Sequence, residues 1–178
     1  MAVSSAVGEE ITVRRVAEDD WPLLRAVRLE MLSDTPTAYL ETVAEAEARS
    51  EDEWRFRARR GSTGVTDYAI AAAPLDQPHR WAAYLACFVD GPGRAHLVSV
   101  YVAPGRRGSG LTRRMVDDAC HWARTEAGVD TLHLYVHEDN ARAHAFYRRY
   151  GFTETGATMP YDLDPDKLEI EMQLSLAG

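Results

Sequence analysis

The sequence predicts a single α/β domain built on a mixed, mostly antiparallel sheet covered by helices. Segments of period-two alternation and segments of helical periodicity follow one another in mixed order along the chain. No internal repeat, low-complexity stretch or interdomain linker interrupts them. A length of 178 residues suffices for one well-buried core and is too short for two ordinary domains. Residues 1–10 are expected to form a frayed start, and residues 11–178 the domain.

Ile11 and Val13 alternate with polar residues and mark a first strand. In "DDWPLLRAVRLEML", Asp19 or Asp20 caps a helix with Pro22 in its first turn and Leu24, Val27 and Met31 on one face. Pro36 breaks that pattern. A second helix is expected from Ser50, which stands at capping-box spacing from Glu53, and Gly61 is a natural stop after Arg60. "DYAIAAA" and "RWAAYLACFV" then form a hairpin through the turn residues of "PLDQP". "DGPGR" turns the chain again into the strand "AHLVSVYVAP".

From Gly110 the periodicity is helical, with Leu111, Met115, Ala119 and Trp122 on one face and an end near Gly128. "DTLHLYVHE" is a strand, "NARAHAFYRRY" a short helix closed by Gly151, and "FTETGATM" and "KLEIEMQLSL" the final strands. In the last of these, Leu168, Ile170, Met172 and Leu174 face one side and Glu169, Glu171 and Gln173 the other.

Composition narrows the function. Hydrophobic residues at 46% and charged residues at 27% describe a globular protein. The longest apolar runs fall far short of a bilayer span, and Met1–Gly8 lacks the features of a signal peptide, so no membrane association is expected and the expected location is cytoplasmic. A net charge of −8 argues against nucleic acid as a partner and mildly favours cationic ones. Cys87 and Cys120 lack metal-type spacing and read as buried structural thiols. His133 and His137 stand four apart on a strand, too far from each other for a simple chelate, so no metal is expected.

One short stretch points to a ligand. "VAPGRRGSGLTRRM" joins a strand to a helix through three glycines, with Arg106, Arg107, Arg113 and Arg114 nearby and no carboxylate. Unpaired N–H groups at a helix start, the positive end of the helix dipole and bare glycine backbone together form an anion site. The spacing is not that of a P-loop, and Arg113 stands where a dinucleotide fingerprint needs its last glycine. A tight turn flanked by solvated arginines is the alternative reading.

"SVYVAPGRRGSGLTRRMV" resembles the acetyl-CoA motif of the GNAT superfamily of N-acetyltransferases, with Arg107 and Gly110 on the R/Q-x-x-G-x-G/A pattern and Gly108 between them. Thr112 departs from it, standing where Gly or Ala is usual. "NARAHAFYRRYGF" resembles the family's later signature through Asn140, Ala143, Tyr147, Gly151 and Phe152. The resemblance spans the chain from Ile11 onward and implies acetyl-CoA as co-substrate, with the sheet splayed at its site between the strands around Ala95–Val102 and Thr131–His137. It implies main-chain contacts to the pantetheine arm near Val100 and Val102. The pyrophosphate is then cradled by the turn from Arg107 through Gly108, Ser109 and Gly110 to Thr112, and Asn140 contacts the cofactor.

The resemblance also implies direct attack of an amine on the thioester and places Tyr147 beside the CoA sulfur. A phenol with an ordinary pKa of about 10 can donate a proton there; otherwise Tyr147 is a half-buried helix tyrosine. His96 lies where some relatives carry a glutamate, and an imidazole is suited to act as general base near neutrality. An exposed strand histidine is the alternative, as is packing for Ser99, which could hold a water, and an N-cap role for Asn140. The segments "SDTPTAYLETVAEAEAR" and "TMPYDLDPDK" are expected to set specificity. Their Glu41, Glu45, Glu47, Asp162, Asp164 and Asp166 either attract a cationic amine or form solvated acidic loops.

The expected activity is N-acetylation of a primary amine of a small molecule. A protein or peptide amine, or a non-catalytic CoA-binding sensor, are the alternatives. A homodimer stays open, because family members often pair while the last strand, with its acidic face, gives no signal.

Overall fold

The first strand, β1 (Ile11–Arg15), enters the sheet at its edge. It lies within residues 10–177, which the computed structural model describes; of the expected frayed start at residues 1–10, all but Glu10 lies outside them. A single 3-10 turn at Glu18–Asp20 leads into α1 (Trp21–Asp34), whose first turn holds Pro22. Leu24, Val27 and Met31 are buried, as their spacing on one helical face requires.

The segment after Pro36 is more ordered than the sequence suggests. It contains α2 (Val43–Ala48), entered through a complete capping box between Thr42 and Glu45. That pair was legible as a T-x-x-E signal. In α3 (Glu51–Thr63), Ser50 and Glu53 form the expected capping box. Gly61 does not end this helix. Its missing side chain lets α3 lie close on the sheet, where a Cβ would overlap that of Ala69.

The remaining elements are β2 (Asp67–Pro74), β3 (Ala83–Gly91), β4 (Arg94–Val102), α4 (Leu111–Thr125), β5 (Thr131–His137), α5 (Ala141–Tyr150), β6 (Thr153–Tyr161) and β7 (Asp164–Ser175). The segment 158–167, expected to set specificity, is mostly strand, closing in a tight hairpin between β6 and β7.

The seven strands form one open mixed sheet in the order β1-β2-β3-β4-β5-β7-β6. All neighbours are antiparallel except β4 and β5, which the connection through α4 makes parallel. Helices cover both faces. On one, Leu111, Met115, Ala119 and Trp122 of α4 pack on Leu85, Leu97 and Leu132, with Tyr147 and Phe152 beyond. On the other, Leu24, Val27 and Met31 of α1 and Trp54 of α3 pack on Ala69, Ala71 and Tyr84. Cys87 and Cys120 are buried free thiols, in keeping with their packing role. No helix among the described residues is long and apolar enough to cross a membrane.

Candidate active site

The sheet opens in its middle. Pairing between β4 and β5 is limited to Arg94 with Thr131, Ala95 with Leu132 and His96 with His133. Beyond His96 the two strands part. β4 also breaks register with β3 between Tyr84 and Ala86, next to Ser99, which has a left-handed φ of 55°. This bulge bends β4 away and turns Ser99 toward Arg28, which donates to its hydroxyl at 3.3 Å.

Two cavities meet at the gap. One, of about 820 Å³, runs along the start of α4 and the face of α5. The other, of about 430 Å³, lies toward α1 and the β6–β7 hairpin. Both are lined by Ala38, Tyr39, Val100, Asn140, Ala143 and Tyr147, so these residues form their common wall.

The larger cleft has the character of an anion site. Gly108 and Gly110 take φ of 80° and 85°, and Gly110 opens α4 with no side chain of its own to cap it, leaving first-turn N–H groups beyond Leu111 available. Ser109 donates to the Arg106 carbonyl at 2.7 Å and accepts weakly from Leu111 N–H at 3.4 Å. Arg107, Arg113, Arg142 and Arg149 line the cleft, together with Thr112, and no carboxylate among the described residues does. Three arginines of the turn behave differently. Arg113 faces the cleft, Arg114 donates to the Ile11 carbonyl at 3.2 Å, and the Arg107 guanidinium is held by Asp34 and, at 2.9 Å, by the Val102 carbonyl. The Val100 carbonyl accepts from the Tyr39 hydroxyl at 3.1 Å. Each of these carbonyls retains a second lone pair for a ligand. Free N–H groups, glycine backbone and an all-cationic lining fit a phosphate-bearing ligand.

Tyr147 stands at the junction. It is 7% exposed, and Phe146 and Phe152 pack edge-on against its ring. Its hydroxyl finds no hydrogen-bond partner among the described residues and faces the cavities. Burial pushes the phenol well above its ordinary pKa, so it is protonated across the neutral range. Asn140 caps α5, its Oδ1 accepting from Ala143 N–H at 3.1 Å, while also lining both cavities.

His96 is not an exposed strand histidine. It is 6% exposed, stacked between Phe88 and Tyr135, and its Nε2 lies 2.8 Å from Asp90 Oδ2. It lines the smaller cavity at the point where β4 and β5 separate. Burial lowers its pKa, an effect that Asp90 opposes.

The face of β7 expected to carry an acidic outer surface is covered. Glu169 and Glu171 are both buried, while Leu168 on the other side is 39% exposed. Glu171 is well partnered, accepting from Thr155 at 2.6 Å and lying 3.3 Å from both His133 Nδ1 and the Tyr135 hydroxyl. His137 accepts from Asp139 N–H at 3.1 Å and packs edge-on against Tyr161. Glu169 lines the smaller cavity, and burial followed by Asp162 raises its pKa. The sequence marked it only as the polar half of an alternating strand.

The acidic loop residues do not converge on the gap. Glu41 is buried beneath Arg28, Arg49 and Arg57, and Glu45 is spent on the cap of α2. Glu47, Asp162, Asp164 and Asp166 are exposed.

Comparison with known proteins bears on this arrangement. The model of the acetyltransferase (GNAT) family matches residues 26–152. The chain is 29% identical over 153 residues to the mycothiol acetyltransferase of Salinispora tropica, a match covering 83% of this chain and 45% of that protein. It thus spans less than half the length of the curated relatives it matches. Among solved structures, a GNAT-family acetyltransferase from Streptococcus pneumoniae superposes with a TM-score of 0.78 at 16% identity, covering 93% of this chain and 99% of that one. The spermidine N-acetyltransferase from Vibrio cholerae, in complex with CoA and spermine, gives 0.73 at 14% identity over 94% and 96%. At these identities the structural likeness concerns the fold.

Proposed function

The chain belongs to the acetyltransferase (GNAT) family, and from that premise we propose that it transfers the acetyl group of acetyl-CoA to a primary amine of a small molecule. One observation carries this reading: an unpartnered, protonated phenol, Tyr147, stands where an anion-binding cleft meets a second cavity large enough for a small acceptor. Arg107, Gly108, Ser109, Gly110 and Thr112 hold the pyrophosphate in this reading, Val100 and Val102 offer main chain to the pantetheine arm, and Asn140 offers its amide.

Acetyl-CoA supplies the acetyl group as an activated thioester. The amine nitrogen bonds to the acetyl carbon as the carbon–sulfur bond breaks. Tyr147 gives its hydroxyl proton to the departing sulfur, and His96, neutral near pH 7, takes the proton that the amine loses. Solvent then returns a proton to the phenolate and removes one from the imidazolium, so the products are an amide and the free thiol. Asp90 fixes the imidazole by holding Nε2, leaving Nδ1 as the accepting atom. The cavity volume supports a small acceptor, as do relatives named for mycothiol and spermidine. Within this reading the protein works in the cytoplasm.

Calorimetric titration with acetyl-CoA, with CoA and a longer acyl-CoA as controls, tests the donor site. Saturable binding is expected. A panel of free amines and peptides then tests the acceptor: turnover confined to peptides overturns the small-molecule assignment, and absence of acetyl-CoA binding overturns the reading as a whole.

A further inference from the structure

A carboxylate with no counter-ion lies in the wall of the acceptor cavity. Among the described residues that line that cavity, Glu169 is the only Asp or Glu. It is 7% exposed, yet no hydrogen bond or ion pair reaches it from any described residue. Glu171, two residues along the same strand face, makes the contrast: it holds Thr155, His133 and Tyr135. Burying an ionised carboxylate without a partner is costly, and the cost is relieved when a cation fills the space beside it.

The position of Glu169 suits the incoming amine. Glu169 pairs across the ladder with His137 of β5, so both side chains lie on the cavity face. His137 and Val100 each stand four residues beyond the last β4–β5 pair, at the level of the opened gap. The same cavity wall includes Tyr147.

No cation among the described residues serves Glu169. Arg28, which reaches the cavity from α1, is bonded to Glu41 and Ser99. The other titratable groups around it are His137 and Tyr135 on β5, Tyr161 on β6, Glu171 on β7, His96 on β4, Tyr39 and Tyr147 across the cavity, and Asp162 at the hairpin tip. Of the carboxylates among these, Asp162 adds repulsion and Glu171 is already partnered.

We propose that Glu169 is the anionic subsite of the acceptor cavity, pairing with the ammonium group of the amine before that group releases one proton to solvent and attacks as the neutral amine. The proposal deepens the acetyltransferase reading and rests on it for the identity of the cavity. It makes the acceptor a cationic amine with an apolar portion, because Leu40, Phe88, Val98 and Met159 line part of the same wall, beside polar groups such as Ser99 and Asn140. Burial and Asp162 hold the carboxyl above its usual range, so the pairing weakens as the pH falls through its titration and is strongest above it.

The test compares hexylammonium with hexan-1-ol, a probe of similar shape without the charge, on the 178-residue chain with and without saturating CoA. The intact protein is expected to prefer hexylammonium by about tenfold, and Glu169→Gln to abolish the preference. CoA affinity should be unchanged in the variant, and its melting temperature no lower. With hexylamine as acceptor, Glu169→Gln should raise KM by about tenfold with a smaller change in kcat. A preference that survives in Glu169→Gln overturns the proposal, and so does a fall in kcat at constant KM, which would make Glu169 the proton acceptor. Failure of CoA to bind either protein would overturn the acetyltransferase reading instead, while the probe preference would still be read on the protein alone.

Discussion

The hydroxyl of Tyr161, on β6, donates to the carbonyl of Tyr39 at 3.0 Å, across 122 residues of sequence. Tyr39 in turn donates its own hydroxyl to the Val100 carbonyl on β4. One residue thus ties the strap after α1 to both sides of the opened sheet and roofs the gap between the cavities. Tyr161→Phe should cost about 1 kcal/mol of stability, the usual net worth of such a bond. The loosened strap should raise KM for the acceptor more than for acetyl-CoA. Thermal melting and steady-state kinetics read the two effects; equal changes in both KM values would remove the strap from acceptor binding.

Tyr147→Phe keeps the ring packed against Phe146 and Phe152 and deletes only the hydroxyl. Turnover should fall by about 10²-fold, within the usual range for a lost general acid, while acetyl-CoA affinity measured by calorimetry stays within about twofold. An unaltered kcat would take Tyr147 out of the chemistry.

His96 must be neutral to accept a proton. Burial lowers its pKa, and Asp90 opposes that by favouring the charged form. The rate should therefore drop as the pH falls through the imidazole titration. Asp90→Asn removes the opposing partner, so the acid limb of the kcat/KM profile should move to lower pH. A limb that stays in place, or moves upward, would assign it to another group.

Glu41 carries a structural load. Burial works against its charge, yet hydrogen bonds from Arg57, Arg28 and Arg49 outweigh this and hold its pKa at about 2, below the ordinary 4.5. A carboxylate with a depressed native pKa stabilises the fold above its unfolded value, and the benefit is lost as pH falls from about 4.5 toward 2. Glu41→Gln leaves three buried or half-buried guanidinium groups facing a neutral amide, and at pH 7 the cost should be about 3–5 kcal/mol. Denaturant unfolding of both proteins at pH 7 and near pH 2 checks it, because the difference should shrink at the acid end.

Local chemistry set much of this molecule. Caps at Ser50 and Asn140, the periodic faces of α1 and α4, and the glycines at 108 and 110 are decisions made within a few residues, so they were readable in order along the chain. The two motif blocks around Gly110 and Tyr147 were readable for the same reason, and they led to the cleft that both residues line. Gly61 was misread because the need for a bare Cα came from Ala69 on a neighbouring strand, not from the helix end.

The acceptor side was decided by tertiary structure. Alternation along β7 says that Glu169 and Leu168 face opposite ways, but not which face another part of the chain will cover. The β5–β7 register sets Glu169 beside His137 and Glu171 beside Tyr135, and in the fold both glutamates are buried while Leu168 stays half exposed. Likewise, Glu41 and Glu169 are both glutamates in the sequence. Only the folded chain gives one three arginines and leaves the other facing a cavity, since an ion pair depends on distances between segments that sequence spacing does not fix.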